Sequence, residues 1–128
     1  MSFCDVLVVD DEPVVRDAVR LVLEHAGYSV EGAADAEAGL GHPALAGCRL
    51  LLCDLMLPGQ SGLELLRRVR ASRPGLPIVM ITGYATDANA DRALEAGATA
   101  FLAKPFDDSE LLTLVRQVLP GPVSPERK

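Results

Sequence analysis

Three carboxylates, a hydroxyl and an ammonium stand where apolar runs of the chain give out. Val6 to Val9 ends in Asp10-Asp11, Leu50 to Cys53 in Asp54, Ile78 to Ile81 in Thr82, and Thr99 to Ala103 in Lys104. Acids brought together repel, which raises the pKa of one of them unless a cation relieves the repulsion. All-oxygen ligands favour a hard ion, and few protein ligands with room for water favour magnesium over calcium. Such a cleft suits phosphoryl chemistry. The ion and Lys104 can neutralise phosphoryl oxygens, and Thr82 can donate a hydrogen bond to one of them. A carboxylate can itself attack phosphorus and form an acyl phosphate. Asp54 needs no base for this, because an ordinary aspartate, with a pKa of about 3.9, is ionised near neutrality.

Convergence of these residues requires their strands to be parallel. The runs at 6–9, 50–53 and 78–81 do not alternate in polarity, as expected for strands buried on both faces of a parallel sheet. Between the runs lie helical patterns. Pro13 suits a first helical turn, Val15, Ala18, Val19 and Val22 form a stripe, and Gly27 closes it. Tyr28 to Gly32 reads as a weak edge strand. From Asp35 to Gly47 a short alanine-rich helix is broken up by Gly39, Gly41 and Pro43. Ser61-x-x-Glu64 reads as a capping box before Gly62, Leu65, Leu66 and Val69. Thr86 caps a helix with Ala90, Ala93, Leu94 and Gly97 on one face, whose small residues allow either close packing or an exposed, mobile face. Asp107 and Glu110 repeat the box spacing before Leu111, Leu114, Val115 and Val118. Strand and helix alternate five times, which predicts an α/β doubly wound parallel sheet with helices on both faces. Residues 1–119 form the domain, and 120–128, PGPVSPERK, have the composition of a flexible tail or the start of a linker.

The bulk properties exclude other classes. A chain of 128 residues holds one domain. Its formal net charge of −6 argues against nucleic-acid or membrane-surface binding. Cys4, Cys48 and Cys53 are odd in number and lack C-x-x-C spacing, so buried thiols in a reducing compartment are expected, not a disulfide framework or zinc site. No apolar stretch approaches the ~20 residues of a membrane span, and no signal peptide is visible, so the expected location is cytoplasmic. His25 and His42 read as surface residues.

The segments VLVVDDE from Val6, CDLMLPGQSGLELL from Cys53, VMITGYA from Val79 and FLAKPF from Phe101, in that order and spacing, resemble the receiver domain of two-component response regulators. The likeness, chemotaxis-regulator-like in kind, runs from about Cys4 to Leu119. It implies a flavodoxin-like (βα)5 fold with sheet order 2-1-3-4-5. It also implies Asp54 as phosphoacceptor and Asp10 and Asp11 as the acid pair. Magnesium, or manganese in its place, would be held by Asp11, Asp54 and the backbone carbonyl of Met56, with Asp10 acting through water. Lys104 and Thr82 would bind the phosphoryl group, Thr82 and Phe101 would form the switch pair, and the Lys104–Pro105 peptide would be cis. Met56 and Tyr84 occupy positions that tune phosphoryl lifetime. Neither is an acid or amide suited to orient water, which predicts slow self-dephosphorylation.

The resemblance implies a signalling switch, at most catalysing its own phosphorylation and dephosphorylation. Its donor would be a histidine kinase or phosphotransfer protein. Its downstream protein or output domain would bind the helix 4–strand 5–helix 5 face, residues 86–119, and a homodimer is left open. Two departures stand out: Leu57 where methionine is frequent, and Phe101 where tyrosine is frequent. A fold retained purely for protein interaction would not need the complete set Asp10, Asp11, Asp54, Thr82 and Lys104. A phosphatase of the haloacid-dehalogenase type would need D-x-D at the end of the first strand, and the acids here are adjacent.

Overall fold

The computed structural model describes residues 4–57, 61–83 and 86–119. In chain order these form β1 (Val6–Val9), α1 (Pro13–His25), β2 (Val30–Ala33), α2 (Ala36–Leu40), a 3-10 turn (Pro43–Ala46), β3 (Leu50–Asp54), α3 (Gly62–Ser72), β4 (Ile78–Thr82), α4 (Asp87–Glu95), β5 (Ala100–Ala103) and α5 (Asp108–Val118). The strands are all parallel, in the order β2-β1-β3-β4-β5. Tyr84 and the tail from Pro120 to Lys128 lie outside the described residues.

Both faces of the sheet are covered, which is why the strand sequences do not alternate in polarity. Val6, Val8, Leu50, Leu52, Val79 and Ile81 point to one side, against Val19 and Leu23 of α1 and Leu111 and Val115 of α5. Leu7, Val9, Leu51, Cys53, Ile78 and Met80 point to the other, against Leu65, Leu66 and Val69 of α3 and Ala93 of α4. Burying each large aliphatic side chain stabilises the fold by about 1.5–3 kcal/mol.

The helix ends follow local rules. Ser61 Oγ accepts the Glu64 N–H at 3.2 Å, one half of a box, whereas Asp107 and Glu110 bond reciprocally. Thr86 Oγ1 accepts the Asn89 N–H at 3.1 Å. Helices α1 and α4 close on glycines with positive φ, Gly27 and Gly97. In each, the following residue bonds back to the third-last helical carbonyl: Tyr28 N–H to Leu23 O, and Ala98 N–H to Ala93 O, both at 2.9 Å. This corrects the expected start of the second strand. The Tyr28 amide completes α1, so β2 begins at Val30 and not at Tyr28.

One helix stripe also needs correction. Ala18 faces solvent, and Leu23 takes the inward place beside Val19. In α4 only Ala93 is buried, while Leu94 is 51 % exposed. One guanidinium ties α3 to the end of α4. Arg70 donates to Gly97 O through Nε and Nη2 at 3.1 and 2.6 Å. Through Nη1 it donates to the carbonyls of Arg73, Pro74 and Leu76.

Candidate phosphorylation and metal site

The register puts the chemistry at one sheet edge. Val9 lies beside Cys53, Asp54 beside Ile81, and Thr82 beside Ala103. Asp10 and Asp54 therefore leave adjacent strands at one level, and Lys104 follows the partner of Thr82. Asp10, Asp54 and Thr82 are buried. Asp11, Glu12, Asp54, Met56, Thr82, Gly83 and Lys104 line a cleft of about 320 Å³.

The Lys104 ammonium is the centre of this cleft. Its Nζ lies 2.9 Å from Asp10 Oδ2, 2.9 Å from Glu12 Oε1 and 3.1 Å from Asp54 Oδ2. Burial works to lower the Lys104 pKa, but the close carboxylates of Glu12, Asp10 and Asp54 outweigh it and hold the ammonium above its ordinary range. Asp54 is shifted the other way in charge terms. Burial, followed by the nearby Asp10 charge, pushes its carboxyl up against the opposing Met56 N–H and Lys104. Asp54 Oδ1 accepts that Met56 N–H at 3.1 Å, and Asp10 Oδ1 accepts the Glu12 N–H at 2.9 Å.

A divalent cation fits this arrangement. Asp10, Asp11, Glu12 and Asp54 each offer a carboxylate oxygen within 4.8 Å of the others. Asp10 Oδ2 meets the lysine as an ion pair but is out of line for a hydrogen bond. It is the one fully buried side-chain oxygen left without such a partner among the described residues. A hard cation with oxygen ligands satisfies that donor set.

The residues singled out from the sequence are placed as follows. Asp10, Asp11, Asp54, Thr82 and Lys104 come together. Met56 lines the cleft and is 56 % exposed. Phe101 pairs with Met80, so it shares a sheet face with Thr82, the face covered by α4, and is half-buried there. The Lys104–Pro105 peptide is cis. His25 is exposed at the end of α1, and His42 accepts the Ala44 N–H through Nδ1 at 3.0 Å, away from the cleft. Sequence reasoning gave Glu12 no part in the site. The signal was its place directly after the acid pair, but its partner Lys104 lies 92 residues away.

Comparisons with known proteins agree with the geometry. The family model for the response regulator receiver domain matches residues 6–116. YkoG of Bacillus subtilis, an uncharacterized transcriptional regulatory protein, is 38 % identical over 114 residues, covering 89 % of this chain and 50 % of YkoG. The chain thus spans about half the length of that curated relative. A 14.6 kDa protein encoded in the sodA1 3′ region of Leptolyngbya boryana is 39 % identical, with 88 % of each chain covered. The crystal structure of a CheY-like receiver domain protein from Methanospirillum hungatei superposes with a TM-score of 0.83 at 37 % identity, covering 91 % of this chain and 93 % of that one.

Proposed function

Because this chain belongs to the response regulator receiver domain family, we propose that it is a phosphorylation-driven switch whose phosphoacceptor is Asp54. The observation that carries this reading is the buried Asp54 carboxylate held 3.1 Å from the Lys104 ammonium at the edge of an acidic cluster. The donor is a histidine kinase or a phosphotransfer protein. One Asp54 oxygen attacks phosphorus, the P–N bond to the donor imidazole breaks, and an acyl phosphate forms. The Met56 N–H orients the carboxylate through Oδ1. Lys104 transfers its contact from the Asp54 oxygen to a phosphoryl oxygen, and the Thr82 hydroxyl donates to another. Asp11, Asp54 and the Met56 carbonyl would hold the magnesium ion, with Asp10 acting through water. Bound there, the ion supplies neutralisation of phosphoryl charge.

The readout follows from the same geometry. Thr82 drawn toward the phosphoryl group vacates space on the α4 side of the sheet, and Phe101, on that side, turns inward. The α4–β5–α5 face, residues 86–119, then changes its affinity for a downstream protein or output domain. The exposed Met56 offers no group to orient water, so the acyl phosphate decays slowly.

Acetyl phosphate with magnesium should add about 80 Da to the protein. Asp54→Asn should abolish the addition. Addition of the same mass to the Asn variant would refute Asp54 as acceptor. Release of the label within seconds would refute the slow decay.

A further inference from the structure

Asp10 is held from every side but one. Its N–H donates to Ala33 O of β2 at 3.1 Å, and its Oδ1 accepts the Glu12 N–H. Its carbonyl accepts from Arg16 Nη1 at 2.7 Å. Arg16 stands in the first turn and a half of α1, and its guanidinium reaches back over the β1–α1 turn. A second observation concerns the path of this arm. The stem crosses Gly32 of β2, where a Cβ would come within 3.3 Å of Arg16 Cδ. The bare glycine leaves room for the arm.

We propose that Arg16, by gripping the Asp10 carbonyl, is a positioning residue that fixes the peptide between Asp10 and Asp11 and so sets the affinity of the cleft for a divalent cation. The inference rests on the reading of the cleft given above. Two adjacent carboxylates can share one ion only if the peptide between them keeps its orientation. The Glu12 N–H to Asp10 Oδ1 bond spans that peptide from the side-chain side, and Arg16 adds the restraint on its carbonyl. Partners that orient ligands in this way are worth about 10–100-fold in metal affinity.

The charge of Arg16 makes the test decisive. A guanidinium that acted only as a nearby positive charge would oppose the ion, and its removal would tighten binding. A positioning guanidinium predicts the opposite sign. Magnesium chloride is titrated by calorimetry into the folded wild type, Arg16→Gln, Arg16→Lys and Gly32→Ala. The expected results are about 10-fold weaker binding for Arg16→Gln, partial recovery for Arg16→Lys, and a smaller weakening for Gly32→Ala, which displaces the arm without changing charge. Unchanged or tighter binding by folded Arg16→Gln overturns the proposal. Should that variant not fold, Gly32→Ala decides: weaker binding supports the proposal and unchanged binding overturns it. A wild type that binds no magnesium would instead remove the reading of the cleft itself.

Discussion

Lys104 reaches three carboxylates, two of them buried, and the balance among these groups governs the cleft. Lys104→Met would leave Asp10 and Asp54 buried without their cation. Breaking a buried pair from one side costs about 3–5 kcal/mol, so the variant should lose stability of that order at neutral pH. Magnesium should restore most of the loss, since it supplies the charge the lysine supplied. Urea melts with and without magnesium check this, and a loss indifferent to the ion would contradict it. The raised pKa of Asp54 has its own consequence. Unfolded, this carboxyl titrates near its ordinary value of 3.8; folded, it titrates higher. Between the two values the folded state holds more protons, so stability falls as pH rises through that window and levels off above it. In magnesium-free buffer, Asp54→Asn should therefore gain on wild type as pH rises across the window. A stability gap that did not move with pH would count against the shift.

At the scale of elements, α3 begins directly beneath Asp54, the proposed phosphoacceptor. A Cβ on Gly62 would collide with the Asp54 carbonyl oxygen and crowd Leu55 Cα, both backbone atoms that cannot swing aside. Gly62→Ala should cost about 1–3 kcal/mol and slow labelling by acetyl phosphate, because either α3 or the end of β3 must shift. Labelling at the wild-type rate would mean that the shift spares Asp54. The strands and their polar ends were legible in the sequence because unbroken apolar runs and the acids, hydroxyl and amine after them are strong local signals. The helix faces were less so. Alanine stripes carry little amphipathic contrast, so Ala18 read as inward although it is exposed, and the face with Ala93 and Leu94 was open to either packing or exposure, where the structure buries only Ala93 of α4. The Arg70 links to Gly97 and the Glu12 contact with Lys104 were invisible for another reason. Each depends on two elements meeting across long sequence separations, and a flexible side chain's target cannot be read from spacing.

For the whole molecule, a sheet sealed on both faces puts all three thiols out of reach. Cys4, Cys48 and Cys53 are free and buried. Burial pushes the Cys4 thiol up to about 11 and raises the other two as well. An aromatic disulfide reagent at mildly alkaline pH should find none of them in the native protein and all three in urea, so thiol release should track global unfolding. Rapid reaction of one thiol without denaturant would point to local opening. The strand order makes the two halves of the cleft unequal. Asp54 grows from β3, which is laced to a neighbour on its left and its right, whereas Lys104 follows β5, which has a companion on one flank only. The anion is thus mounted on the keel of the sheet and the amine on its gunwale. Of the two mountings, the amine's is the one with an open flank and room to yield outward, while the acid's is braced on both sides.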